Sequence, residues 1–279
     1  MGYNNIIVVD GGSNDRTVEI AKSKGVTVVF QRGKGKANAI ATGINYVKTP
    51  YVLIIDGDYT YPAKYIDDLY RKILEGYDEV IGARVYGEGY SFMYRIGNKI
   101  LTAFFNLLFG VKLRDVLSGM YMLRLESVRD ALFETKGFSI ESEIVAHIIG
   151  TSGVVTEVPI EYRKRVGKKK LKVLHGIKIA IDMIRLTWRY NPVFIIFFMG
   201  SLLLVPGIIL SGWVLYQYLT TGVKYYVKGI LAAIMSVGGF VSLALAILSL
   251  YFKRMEYRLR RRLMEIEKRI KEYGKRSES

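Results

Sequence analysis

Over the first two thirds of the chain, short apolar runs that stop at an acidic residue or a glycine turn alternate with stretches of helical periodicity. Ile6-Ile7-Val8-Val9-Asp10 is continuously apolar until Gly11-Gly12-Ser13, the pattern of a strand buried on both faces that enters a loop. A helix is expected next, capped by Ser13 or Asn14, with Asp15 in its first turn and Val18, Ile20 and Ala21 on its apolar side. Val26 to Phe30 predicts a second strand, and Lys36 to Val47 a helix entered through a Gly-Lys-Gly loop. Tyr51 to Asp56 repeats the strand that ends in Asp. Ile66 to Glu75 predicts a helix, Glu79 to Ala83 a strand, and Thr156 to Tyr162 a strand that closes the domain. This alternation predicts an α/β domain with a parallel, doubly wound sheet. Ligands of such sheets sit at the carboxyl ends of the strands, where Asp10, Asp56 and Asp58 fall.

The last third has a different pattern. Val193 to Leu219 and Gly229 to Phe252 contain no charged residue, and each is longer than the ~20 residues that span a bilayer core. Two core helices of a soluble protein are the alternative, against which the length of both uncharged runs speaks. The connector Thr220 to Lys228 carries only Lys224 and Lys228, whereas Arg163 to Arg189 and Lys253 to Arg262 are rich in Lys and Arg. The bias of positive charge towards the cytoplasm therefore predicts a cytoplasmic amino-terminal domain and a cytoplasmic tail. Two further helices are expected, Phe92 to Phe109 and Leu174 to Trp188. Both are amphipathic with basic residues beside apolar ones, suited to a core or to a membrane interface. The resulting division is a domain over 1–165, a basic amphipathic interface helix over 166–191, two membrane helices over 192–252 and a basic tail helix over 253–279.

Composition narrows the chemistry. The 279 residues carry a formal net charge of +16, which suits either nucleic acid or an anionic membrane with phosphate-bearing ligands. Its placement beside the apolar spans selects the membrane, so no nucleic-acid partner is expected. The absence of cysteine excludes a disulfide framework, a thiolate metal site and a Cys nucleophile. The two histidines, His147 and His175, are too few for a histidine metal cluster, and His147 reads as structural. Met1 to Asn5 is polar and the apolar run after it is short, so no signal peptide is expected.

Asp56-Gly57-Asp58 follows a buried strand directly. Two carboxylates one residue apart on such a turn can reach one hard divalent cation, and that cation can neutralise a diphosphate leaving group. The alternative is an ordinary turn with one Asp capping the next helix. Asp10 could accept hydrogen bonds from a nucleotide base or simply cap its own loop. Gln31-Arg32-Gly33-Lys34-Gly35-Lys36-Ala37 is basic and glycine-rich and opens a helix, which suits phosphate or ribose. It lacks the Walker spacing of an NTPase. Glu141 and Glu143 bracket a helix start, from which either could touch a sugar.

Five segments occur in order: Val8 to Asp15, the loop around Gly33-Lys34-Gly35, Asp56-Gly57-Asp58-Tyr59-Thr60-Tyr61-Pro62, Arg114-Asp115-Val116-Leu117-Ser118-Gly119, and Glu157-Val158-Pro159-Ile160. Together they resemble the family-two inverting glycosyltransferases of GT-A fold, in the dolichyl-phosphate mannose synthase and dolichyl-phosphate hexosyltransferase branch, over about Ile6 to Leu171. Two terminal membrane helices are familiar in that branch. The resemblance implies transfer of a hexose from GDP- or UDP-hexose to a polyprenyl or dolichyl phosphate, at a cytoplasmic site on an integral membrane protein. Mg2+ or Mn2+ is the implied cofactor, held by Asp56 and Asp58. It implies Asp10 and Lys34 at the nucleotide, and Arg95, Arg114, Ser118 and Arg165 at the acceptor phosphate.

Asp115 is either a general base or a partner that bonds Arg114 to hold the loop. Lys169 stands where the family's Gly-x-Ser-Lys-Leu segment has serine. Thr60 stands where many mannose synthases carry Gln, which implies weaker or water-mediated metal coordination. The family also opens with a strand and a Pro-x-x-Asn-Glu loop ahead of the Asp10 strand, and the chain as given has neither. That strand is expected between the Asp10 and Asp56 strands, and a shortened start is the simplest explanation. Its loss lends weight to one rival reading, a catalytically inactive membrane-bound scaffold. A processive polysaccharide synthase is a poorer fit because Gln-x-x-Arg-Trp is absent. Homo-oligomerisation is expected, if at all, through the membrane helices.

Overall fold

The computed structural model describes residues 3–86, 92–129, 131–133, 139–163 and 173–277. The chain divides into two compact units, Met1–Tyr190 and Asn191–Ser279. In the first unit, β1 (Ile7–Asp10), α1 (Thr17–Ser23), β2 (Thr27–Phe30), α2 (Lys36–Ile44), β3 (Tyr51–Ile55), α3 (Ile66–Ile73) and β4 (Glu79–Tyr86) alternate as their hydrophobic pattern predicts. They are followed by α4 (Phe92–Phe109), β5 (Met120–Arg124), α5 (Ile140–Gly150), β6 (Val155–Tyr162) and α6 (Val173–Tyr190).

The sheet is mixed, not wholly parallel. β3, β5, β4 and β6 are hydrogen-bonded in that order, and β5 runs antiparallel to both β3 and β4. Periodicity gave no notice of β5, because Met120-Tyr121-Met122-Leu123-Arg124 contains a single aromatic and no β-branched residue, the types that mark strands. It is nonetheless a buried central strand, and Met120 and Met122 join Leu69, Ile73, Val80 and Ile160 in the core. Each such side chain contributes ~1.5–3 kcal/mol on leaving water.

β1 pairs in parallel with β2 alone, so among the described residues β1 and β3 share no ladder and the sheet is in two pieces. That break is where the expected opening strand would lie. Helix α2 ties the pieces together: a methyl group at Gly43 would come 3.0 Å from the Val9 side chain, and Lys36 at its start pairs with Asp56 at the end of β3.

Helix α6 buries Ile179, Met183 and Leu186 and leaves Ile177, Ile181, Ile184 and Trp188 exposed. Helix α4 likewise buries Phe105, Leu108 and Phe109 while Phe92, Ile96 and Ile100, each four residues apart, face outward.

The second unit is a helical hairpin. Helix α7 (Pro192–Thr221) and the first part of α8 (Tyr226–Ser277) contain two spans long and apolar enough to cross a membrane, Pro192–Thr221 and Tyr226–Phe252. They pack at backbone distance: a methyl group at Gly239 would come 2.5 Å from the Leu204 amide nitrogen, the small-residue contact by which apolar helices associate without a hydrophobic driving force. The Ser242 hydroxyl donates across the pair to the Ile196 carbonyl at 2.9 Å.

Candidate active site

The site is built on the turn that ends β3. The Asp56 amide donates to the Gly119 carbonyl at 3.0 Å, and the Gly119 amide donates to the Tyr61 hydroxyl at 2.7 Å, so the turn is stitched to the entrance of β5. Gly119 is required by proximity, since a Cβ there would sit 2.2 Å from Asp56 Oδ2. Tyr59 has φ of 67°, a left-handed conformation that costs a non-glycine residue ~1–2 kcal/mol. Its neighbours oppose that cost. The Thr60 amide donates to Asp58 Oδ1 at 3.2 Å, the Arg163 amide donates to the Thr60 carbonyl at 2.9 Å, and the Arg163 guanidinium lies 5.4 Å from the centre of the Tyr59 ring.

Beneath the turn lies a buried charge cluster. Lys36 Nζ is 2.6 Å from Asp56 Oδ1 and also pairs with Glu141 Oε1. Burial alone would lower the ammonium's pKa, but Glu141 and Asp56 outweigh it and hold it above its ordinary value. Burial raises the Glu141 carboxyl, Lys36 opposes this, and the net shift is upward. Further inside, burial and then Glu141 raise the Glu79 carboxyl well above its usual range. Among the described residues, Glu79 Oε2 and the Tyr121 hydroxyl have no hydrogen-bond partner.

Sequence reasoning named Lys34 in this loop and left Lys36 without a role. Lys34 is exposed, and its carbonyl accepts from Asn38 at 2.8 Å. Lys36 is turned inward because it precedes buried Ile40 and Ile44 by four and eight residues, on the same stripe of α2. That spacing was available in the sequence as a signal.

A second cluster holds the loop before β5. The Arg84 guanidinium grips Asp115 with both arms, Nε to Oδ2 at 2.6 Å and Nη2 to Oδ1 at 2.7 Å. Asn98 donates to Asp115 Oδ1 at 2.8 Å and accepts from Arg84 at 2.9 Å. Burial pushes the Asp115 carboxyl up, but Arg84 and these hydrogen bonds prevail and hold it below its ordinary value. Its ionic partner is thus Arg84, not Arg114. The backbone amides of Arg114 and Asp115 instead donate to Glu157, at 2.7 and 2.8 Å. Ser118 is buried and donates to the Gly82 carbonyl at 2.5 Å.

The remaining expected residues are dispersed. Asp10 closes its own loop by accepting from the Gly12 and Ser13 amides at 2.8 and 3.0 Å and from the Ser13 hydroxyl, and these bonds, the Ser13 hydroxyl first, lower its pKa. Arg95 is exposed on α4, donating to the Tyr86 carbonyl at 3.3 Å with its guanidinium 5.6 Å from the Tyr86 ring centre. Arg114 and Lys112 line a cavity of about 280 Å³ with Thr156 and Glu157. His147 packs edge-on against Tyr190. Arg165 and the 167–171 segment lie outside the described residues.

Asp56 and Asp58 supply hard carboxylate oxygens, and among the described residues no group of three or more His, Cys, Asp or Glu could hold an ion alone. The pair fits a divalent ion that takes its other ligands from diphosphate oxygens and water.

The family description "Glycosyl transferase family 2" matches residues 3–132. The chain is 29% identical over 273 residues to glycosyltransferase AglJ of Haloferax volcanii, covering 95% of this chain and 90% of that protein. It is 34% identical over 178 residues to the dolichyl-phosphate hexose transferase of the same organism, covering 63% of this chain and 77% of that one. Among solved structures, glucosyl-3-phosphoglycerate synthase of Mycobacterium tuberculosis, crystallised with Mn2+, UDP-glucose and phosphoglyceric acid, superposes with a TM-score of 0.55 at 21% identity, over 65% of this chain and 67% of that one. This likeness establishes the mixed α/β GT-A fold.

Proposed function

The chain belongs to glycosyl transferase family 2, in the branch of the dolichyl-phosphate hexose transferases, and from that premise we propose that it transfers a hexose from a nucleotide sugar to a polyprenyl phosphate with inversion. The observation that carries this reading is the Asp56-Gly57-Asp58 turn, fastened to Gly119 at the end of β3 and backed by Lys36 from the glycine-rich loop. A phosphate oxygen of the acceptor attacks the anomeric carbon as the bond from that carbon to the diphosphate oxygen breaks, and the bonding pair leaves with the nucleoside diphosphate. Asp56 and Asp58 would hold Mg2+ or Mn2+, whose charge stabilises the departing diphosphate. Lys34 is assigned to the diphosphate, a reading that its exposure on the glycine-rich loop supports.

The acceptor is already ionised, so no strong base is needed. We therefore assign Asp115 to positioning: it fixes Arg84 and the loop that presents Arg114. Arg95 and Arg114 are assigned to the acceptor phosphate. A lipid-linked acceptor also gives the outward stripes of α4 and α6 an occupant, because Phe92, Ile100, Ile181 and Trp188 flanked by Lys99, Lys178 and Arg185 suit a bilayer surface. In this arrangement both termini are cytoplasmic.

The test is release of nucleoside diphosphate and formation of lipid-linked sugar from a panel of GDP- and UDP-hexoses with dolichyl phosphate, with and without Mn2+. Lipid product from at least one donor is expected. Absence of product from every donor would overturn this reading in favour of the rival one, a catalytically inactive membrane-bound scaffold.

A further inference from the structure

Lys36 is a half-buried cation to which the proposed chemistry gives no step of its own. Its side chain is 23% exposed, against 30% for Asp56 and 7% for Glu141, so the three charges are partly shielded from water, where screening is weaker than at an open surface. Asp56 Oδ2 occupies the space that a Cβ on Gly119 would need, and the Asp56 amide is bonded to the Gly119 carbonyl, so the carboxylate is held close to the entrance of β5. A divalent ion approaching Asp56 Oδ1 therefore meets an ammonium 2.6 Å from that oxygen. Few protein ligands offset this repulsion, since among the described residues no three-membered ligand group exists.

A nucleoside diphosphate changes the balance. It brings oxygen ligands for the ion and negative charge for the ammonium. Lys36 is also the first residue of α2, directly after Gly33-Lys34-Gly35, where helix amides favour phosphate.

Resting on the donor-site reading above, we propose that Lys36 is a resident counter-cation that occupies Asp56 and Glu141 until a nucleoside diphosphate arrives, making tight divalent-ion binding conditional on the diphosphate. Lys36 is thus a positioning residue that sets an order of binding. Without it, Asp56 and Glu141 would together attract an ion in the absence of nucleotide.

Mn2+ binding to the full chain in detergent micelles, followed by electron paramagnetic resonance, tests this independently of turnover. In the wild type, UDP or GDP is expected to tighten Mn2+ binding by at least ~10-fold, within the usual range of coupling between sites. Lys36→Met is expected to bind Mn2+ alone ~10-fold more tightly than the wild type and to lose most of the gain from nucleotide. Because that variant leaves the buried Glu141 and the half-buried Asp56 without their cation, Lys36→Met/Glu141→Gln is measured beside it, with one carboxylate removed and Asp56 still released. Wild-type protein that binds Mn2+ equally with and without nucleotide would overturn the proposal whether or not the variants fold. So would variants that match the wild type, leaving Lys36 a structural tie. If no protein binds Mn2+ even with nucleotide, the donor-site reading falls together with this one.

Discussion

The two ion clusters at the ends of β3 and β4 pair carboxylates with different cations, to opposite effect. Around Asp115, a bidentate guanidinium, an asparagine and a backbone amide occupy both carboxylate oxygens, and the carboxylate is 3% exposed. Around Asp56, one flexible ammonium is shared between two carboxylates, and Asp56 keeps 30% of its side-chain surface. An Arg fork satisfies a carboxylate in a fixed plane, whereas a Lys ammonium is a point charge on a mobile stem. The first arrangement suits a permanent clamp and the second a site whose partners can change. A carboxylate at a strand end is therefore not a sufficient sign of chemistry; the identity of its cation separates clamp from working site.

The largest test of that contrast lies on the clamp. Asp115→Ala should destabilise the first unit by ~3–5 kcal/mol, because it leaves the largely buried Arg84 charge without its carboxylate; chemical denaturation measures this, and a loss below ~1 kcal/mol would mean that Asn98 and water already satisfy Arg84. At the working site, Asp58→Asn should lower sugar transfer by at least ~100-fold, about 2.7 kcal/mol of transition-state stabilisation. Its denaturation midpoint should stay near the wild-type value, and wild-type turnover would remove the DGD turn from the chemistry.

A smaller effect is expected below the Asp56 cluster. Glu79 has a folded-state pKa well above its unfolded value, through burial and then Glu141. The folded protein thus holds a proton that the unfolded chain gives up. This contribution to stability is fully present below the ordinary Glu pKa of ~4.3 and is lost as pH rises from there through the folded-state value. Glu79→Gln imitates the protonated form, so it should flatten this decline and leave the protein more stable than the wild type at pH 7. Thermal denaturation across pH 4 to 8 reads both effects, and parallel curves for the two proteins would contradict them. The smallest change is at the surface: Arg95→Ala should raise the Michaelis constant for a short, water-soluble prenyl phosphate by ~3- to 10-fold, about 1 kcal/mol, with donor dependence unchanged. An unaltered acceptor dependence would leave Arg95 as a headgroup contact.

Much of the frame was legible from local pattern. The strands ending at Asp10 and Asp56, the helices between them and the two apolar spans are written in runs and periodicities a few residues long, and the fold contains those elements. The DGD turn was legible as well, because its position depends only on the strand before it. The partner of Asp115 was not. Arg84 lies 31 residues away on another strand, and adjacency had suggested Arg114 in its place. Lys36 was half legible: its place on the inward stripe of α2 was readable, but its counter-ions lie 20 and 105 residues further along the chain. β5 escaped because a central strand shielded on all sides can be built from Met and Leu without alternation.

By itself, the sequence determined most of the strands and helices, β5 excepted, and the two spans long and apolar enough to cross a membrane, because each of these depends on contacts and solvent preferences within a short stretch of chain. Only the tertiary structure decided the direction of β5, the break between β1 and β3, and which cation faces which carboxylate. Those outcomes depend on pairing between segments far apart in the chain. A buried charge takes the nearest partner in space, and distance along the sequence does not enter its energy.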